Sequence, residues 1–424
     1  MHEERNYSYF DQGSFSDLFA NDIRDQSYAF LLPYPCTADW AHFPNNRSYL
    51  IQDGNSAATK VGYEKICQKE PWKNLAVLGD EMAGVLTEPP PAALLSYWRE
   101  HLGFHYHNFE VLPQDTYCHD LNQSNRYRQL ITLFPYDGLD PDRHAVDPDS
   151  HYHLLSKTAL ADMGVHYPLY QVFDFDQVRP EDVVLKTEYP YLIKTSHGLS
   201  GEGTYIIHDA RDLDHCRSEV RRYLAIGLVQ SVVVSDFVKH VVENYCVQFY
   251  VDKNGEPTLI GATTQLVTDT GEHLGGVIRY RETDMRKFFH KIAVISRFVQ
   301  KHGYFGVVGV DILEDRDGQL HVIDANIRVN GSTPLCLLRH VLLAEDKETA
   351  KYSSDFCMDT NLDGVLLGLR PYLDRKDLTI LSALERDVGG RTLCEIYGIV
   401  AGADVEAVQR IEQDLQKAGL YHTG

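Results

Sequence analysis

The chain has 424 residues, 43% of them hydrophobic and 24% charged, an ordinary globular balance that excludes wholesale disorder and suffices for two or three domains. Its formal charge of −21 and pI near 5.3 argue against the basic face that nucleic-acid binding requires. The same acidity makes a lysine or arginine in an apolar or glycine-rich setting informative, because a polyanionic ligand must find local cations against an unfavourable field.

Eight cysteines lie scattered without a C-x-x-C pair, which supports neither a zinc ribbon nor a redox dithiol nor a disulfide framework. The N-terminus lacks an apolar signal core and no run reaches the length of a membrane span, so the expectation is a cytoplasmic enzyme with no membrane association. Among twenty histidines, His101, His105 and His107 and the pair His151 and His153 invite a metal reading. Gly103 interrupts the helix that His101 and His105 would share, and no H-E-x-x-H occurs, so surface or core histidines are expected instead.

In chain order, residues 1–150 read as an α/β domain with a partly parallel sheet. Ser27 to Pro33 reads as a buried strand and Leu75 to Leu78 as a second. Ala92 to Leu102 reads as a helix opened by three prolines and stopped by Gly103. The Asp- and Pro-rich run 137–150 marks a boundary. Beyond it, His153 to Met163 has helical spacing with Gly164 as its stop; Lys157 lies near the start, where a lysine is ordinarily solvated. Tyr191 to Lys194 and Thr204 to Ile207 are strands joined by a loop that carries Ser196, Ser200, Gly201 and Gly203. Strand, loop, strand is not the strand-to-helix entry of a Walker A or Rossmann loop. Such a hairpin can fold over phosphates, offering backbone N–H groups and two serine hydroxyls, or it can be merely flexible.

Leu228 to Val234 is a further strand, and Val247 to Val251 with Thr258 to Gly261 a hairpin. Residues 270–276 read as a mobile segment. It leads to Arg279 and Arg281, either of which could grip a carboxylate in a bidentate fork or sit in solvent. Asp284 to Gly303 reads as a helix. Val307 to Leu313, the turn at Asp315 to Gly318, and Gln319 to Asp324 form a hairpin, which brings the carboxylates of Asp311 and Asp324, with the Asn326 amide, to one end. Such carboxylates repel unless a positive charge lies between them. A hard divalent cation such as Mg²⁺ fits; otherwise Asp311 is a satisfied core polar group and Asp324 a strand cap. After residue 350 the one element singled out is a helix from Val405 to Ala418, capped by Asp404 and stopped by Gly419. The segment 351–424 is expected to be a helical extension packed on the core.

Asp311 followed by Asp324-Ala-Asn326-Ile-Arg328 resembles the metal signature of the ATP-grasp superfamily, and the NGST run from Asn330 to Thr333 resembles its carboxylate–amine ligases. Lys157 ahead of Gly164-Val-His-Tyr-Pro168, Lys194 with its glycine loop, Asp236 and Glu243 follow the order of that family across about residues 151–340. Residues 1–150 resemble, more weakly, the preceding domain of the pre-ATP-grasp amino-acid and peptide ligases. The implied architecture is α/β (α+β), with ATP held between two α+β subdomains, 151–235 and 236–350. The resemblance implies ATP with Mg²⁺ or Mn²⁺, the metal held by Asp311, Asp324 and Asn326. Lys157 and Lys194 would hold phosphates beneath the loop of Ser196, Ser200, Gly201 and Gly203. Asp236, Phe237 and Lys239 would meet adenine and Glu243 the ribose. Asp236 departs from the glutamate usual there. Arg328 and Lys194 would act in catalysis, with Arg279, Arg328 and Asn330 toward substrate. The implied reaction turns a carboxylate into an acyl phosphate and passes it to an amine, giving an amide, ADP and phosphate. Two alternatives stand beside it: loading of a carrier-protein thiol, and a non-catalytic ATP-binding protein. The expected partners are a small carboxylate and a small amine, and a homodimer is left open.

Overall fold

The computed structural model describes residues 7–23, 27–35, 49, 68–183, 188–198, 201, 203–225, 227–267 and 273–422. Three sheets organise these residues. The first is four-stranded and wholly parallel, from β1 (Tyr28–Leu31), β2 (Ala83–Leu86), β3 (Phe109–Val111) and β4 (Gln129–Thr132), in the order β3-β2-β1-β4. The run Leu75 to Leu78 is not one of its strands. It ends the helix Glu70–Leu75 and continues into a turn whose Val77 and Leu78 carbonyls accept from Phe15 and Ser16. A short, fully buried apolar run carries no period to tell strand from helix end. The helix Ala92–His101 stops as expected before Gly103, whose φ of +82° suits glycine.

A small antiparallel sheet follows, from β5 (Tyr170–Asp174), β6 (Tyr191–Thr195), β7 (Thr204–Ile207) and β8 (Ser231–Asp236), ordered β5-β8-β6-β7. It carries its own core of Phe173, Ile193, Ile207, Leu213 and Val234. The chain enters it through two short helices, Pro148–Leu154 and Lys157–Asp162, rather than one continuous helix. Ser156 breaks the pair, its hydroxyl accepting from Thr158 N as an N-cap.

The third sheet gathers nine strands. β9 (Val241–Val251), β10 (Pro257–Val267), β11 (His273–Arg279), β12 (Gly306–Asp315), β13 (Leu320–Asn326), β14 (Thr349–Met358), β15 (Leu378–Val388) and β16 (Arg391–Gly402) run in the order β13-β12-β9-β10-β11-β14-β16-β15, and β17 (Tyr421–His422) pairs with β14. Two expectations are corrected here. Of the stretch 270–276 read as mobile, residues 270–272 lie outside the described residues, whereas Gly275 and Gly276 lie inside strand β11, where a Cβ at Gly275 would strike the Tyr352 carbonyl and one at Gly276 the Tyr352 ring. The chain after residue 350 is not a helical extension: β14, β15 and β16 complete the large sheet, and the helix Val405–Lys417 packs beside them. One apolar core joins the parallel sheet to this half of the molecule, through Trp98, Phe30, Leu335, Ile380 and Ile396.

Candidate active site

The site is built on the β12–β13 hairpin. Asp311 and Asp324 stand directly opposite in its register, and Asn326 faces Gly309. A bulge after Asp311 shifts the pairing there, which re-aims side chains in the way bulges do near functional sites. The Asp311 carboxylate accepts from Gln265 Nε2 at 2.7 Å and lies 3.4 Å from Asn326 Nδ2. Burial, reinforced by Asp324, pushes the Asp311 carboxyl up to about 7. Burial alone would also raise Asp324, but Lys157 and Lys194 together outweigh it and hold that carboxyl low.

Both lysines come from other elements. Lys157, the first residue of its short helix, sends Nζ to 3.0 Å from Asp324 Oδ2. Its backbone N–H donates to the Ser196 carbonyl, so the helix start is tied to the root of the glycine hairpin. Lys194, at the end of β6, donates to the Ile323 carbonyl at 2.9 Å. Burial pushes its ammonium down to about 8 against the pull of Asp324. Two buried lysines therefore converge on the two carboxylates in an otherwise strongly acidic chain.

The glycine hairpin lies beside them. Gly201 and Gly203 take φ of +88° and +75°, and a Cβ at Gly203 would collide with the Thr195 hydroxyl. Ser196 is buried, its hydroxyl 3.3 Å from His197 Nδ1; Ser200 lies outside the described residues. His197 stacks on Tyr152 with ring centroids 4.2 Å apart and planes 3° from parallel, and burial pushes its imidazole down to about 4, so it is neutral at ordinary pH. Asp236 ends β8, and Phe237 to Lys239 carry the chain from the small sheet to β9 of the large one. Glu243, on β9, accepts from the Thr264 hydroxyl at 3.2 Å.

Arg328 donates to Asn326 Oδ1 at 2.9 Å and to the Val329 carbonyl at 3.0 Å, and its guanidinium lies 5.2 Å from the Phe134 ring centroid. It thereby faces a cleft also lined by Tyr152, Lys157, His197, Asp324 and Asn326. Asn330 does not reach that cleft as a substrate ligand. It is buried, donates to the Arg328 carbonyl at 2.9 Å, and packs where Gly309 leaves room. Arg279 is also apart from the cluster: it ends β11, opposite Thr349, and its ion-pair partner is Glu282 at 3.6 Å. His151 is a core histidine, its Nε2 2.9 Å from the Ile327 carbonyl.

Several contributors carry no local sequence signal. Gln265 reaches Asp311 from two strands away in the sheet, and Phe134 and Pro135 enter the cleft from the segment after β4. Gln248 braces the loop after β13 from beneath through Ser332 and Thr333. The donor set of two carboxylates and an amide, with Asp311 raised by burial and by Asp324, fits a hard oxygen-seeking cation.

Comparison with known proteins bears on the fold that carries these residues. A family model described as L-aspartate–L-methionine ligase, ATP grasp, matches residues 168–326. N5-carboxyaminoimidazole ribonucleotide synthetase in complex with ADP superposes with a TM-score of 0.55 at 11% identity, over 81% of this chain and 93% of that one. N5-carboxyaminoimidazole synthetase from Staphylococcus aureus, also with ADP, gives 0.52 at 14% identity over 82% and 92%. L-amino acid ligase from Bacillus licheniformis gives 0.50 at 11% identity over 78% and 95%. At such identities the solved structures speak to the fold alone, and together with the family match over residues 168–326 they show an ATP-grasp fold.

Proposed function

We propose that the chain is an ADP-forming amino-acid ligase, joining the carboxylate of one amino acid to the amine of another. The observation that carries this reading is the convergence of Lys157 and Lys194 on Asp311 and Asp324 across the β12–β13 hairpin. A carboxylate is a poor electrophile, so its oxygen first attacks the γ-phosphorus of ATP; the bond to ADP breaks and an acyl phosphate forms. That step needs positioning and charge neutralisation rather than a protein nucleophile. Asp311, Asp324 and Asn326 would hold Mg²⁺ or Mn²⁺, which would supply positive charge to the phosphoryl transfer. Lys157 and Lys194 would hold the phosphates, and the hairpin of Gly201 and Gly203 would cover them and exclude water. Asp236 to Lys239 and Glu243 receive the nucleoside. Arg328 orients the carboxylate and then stabilises the tetrahedral oxyanion as the amine attacks and phosphate leaves.

The name of the matching family suggests L-aspartate and L-methionine as the first pair to test.

The test combines hydroxylamine trapping with nucleotide analysis. With a competent acid, ADP should form one-for-one with hydroxamate. AMP and pyrophosphate would overturn the mechanism even if an amide were made, and ATP binding without any turnover across amino-acid pairs would favour a non-catalytic role.

A further inference from the structure

We propose that the end of the parallel sheet remote from the catalytic cleft holds a transition-metal ion of the Zn²⁺ class, bound by Asp80, His105 and His107. Each of the three offers a ligand atom, and these atoms all lie within 4.8 Å of one another. The histidines discounted on spacing alone regain meaning because the third ligand comes from far along the chain. Asp80 sits in the turn before β2, and the histidines sit in the loop before β3. His101, the other histidine of that stretch, stays out of the cluster with its ring against Tyr97, centroids 4.5 Å apart.

The two loops are pinned without any ion. Asp80 Oδ1 accepts from His105 N at 2.9 Å and Tyr106 N at 3.3 Å, and Asp80 Oδ2 lies 2.9 Å from His105 Nδ1. Tyr106, between the histidines, takes a φ of +51°, unusual for a bulky side chain. Its hydroxyl is buried and donates to the Ala76 carbonyl at 2.8 Å. Arg99 Nε holds the His105 carbonyl at 3.0 Å, and Asn108 Nδ2 the Gly79 carbonyl at 2.9 Å. With Tyr106 anchored inward, both exposed imidazoles stay on the solvent side near the carboxylate, their centroids 6.1 Å apart. Two imidazoles and a carboxylate suit Zn²⁺ and neighbouring metals, with water completing the shell, and suit Mg²⁺ poorly.

The strands run from this end of the sheet toward Phe134 and Pro135, which line the catalytic cleft beyond β4. The ion would clip the Asp80 turn to the 103–108 loop without touching ATP or substrate.

The experiment titrates Zn²⁺ alone into the full chain in excess Mg²⁺ and ADP, which occupy the catalytic carboxylates, and follows it by calorimetry and thermal melting. One equivalent should bind and raise the melting temperature of the wild type. His107→Ala and the double variant His105→Ala/His107→Ala should lose affinity by more than about tenfold, since even groups that only orient a ligand carry roughly 10–100-fold, while ATP turnover stays at the wild-type level. His107 is exposed, so its truncation leaves the core intact. An equal Zn²⁺ stoichiometry and affinity in the double variant would overturn the assignment, as would the absence of saturable binding to the wild type.

Discussion

Asp311 and Asp324 are directly opposite each other yet titrate in opposite directions, and the difference lies in which carboxylate the lysines reach. Lys157 touches Asp324, while Asp311 meets the Gln265 and Asn326 amides and the Cys246 thiol, none of them charged. Asp311 is therefore the group whose charge is uncompensated without a cation. Its folded value of about 7 lies above the unfolded value of about 3.9, so between these the native state binds more protons than the unfolded one. Stability of the metal-free protein should fall as pH rises through that window. Mg²⁺ should bind more weakly below about pH 7, where Asp311 becomes protonated. Melting curves with and without Mg²⁺ across the window check this: the Mg²⁺-induced shift should grow with pH, and a shift that shrank would refute the charge argument. Lys194 sets the other limb. With its ammonium at about 8, kcat/KM for ATP should decline above that pH, because this ratio reports free-enzyme ionisations. Asp324→Asn keeps the shape but removes a charge that both the lysines and the cation need, and should cost several kcal/mol of transition-state stabilisation, about a thousandfold in kcat. The melting temperature of the metal-free variant should also fall, because buried Lys157 and Lys194 lose the counter-charge that Asp324 supplies.

At the scale of elements, the glycine hairpin between β6 and β7 is held by backbone geometry more than by side chains. Gly203 sits at φ +75° against the Thr195 hydroxyl, so Gly203→Ala meets both a left-handed backbone, about 1–2 kcal/mol, and a collision. The small sheet has a core of its own, and the damage should stay local: KM for ATP rises several-fold while the global melting temperature barely moves. Steady-state kinetics beside a thermal scan separate the two. The same elements explain what the sequence could convey. The β12–β13 hairpin was legible because its turn residues and strand alternation are local signals, and the site residues Asp311, Asp324, Asn326 and Arg328 ride on it. The hairpin of β15 and β16 had an equally local signal, the Gly389-Gly390 pair between two apolar runs, both glycines at positive φ, and it went unread as a strand pair. Gln265, Gln248 and Phe134 had no local signal at all. Their roles arise from sheet order, β10 lying beside β9 and β9 beside β12, and sheet order is set by tertiary packing.

At the scale of the whole molecule, the parallel sheet is bolted to the last strands of the chain. Trp98 is fully buried in the helix Ala92–His101, and its indole N–H donates to the Ile380 carbonyl at 3.0 Å. The Ile380 N–H in turn donates to the Tyr97 hydroxyl at 3.1 Å. Both bonds cross from the first hundred residues to β15, through the largest apolar core. The helix Glu70–Leu75 makes the same crossing toward β15, and Lys69, just before it, reaches the Ser354 carbonyl and Glu395. Trp98→Ala should cost about 3–5 kcal/mol for the lost packing, and it also leaves the Ile380 carbonyl unpaired at about 1–3 kcal/mol. Unfolding of the variant should shift as one transition, because the shared core links both sheets. Tryptophan fluorescence and far-ultraviolet dichroism, recorded on the same melt, test this. Two separated transitions would mean that the parallel sheet unfolds independently of the large one.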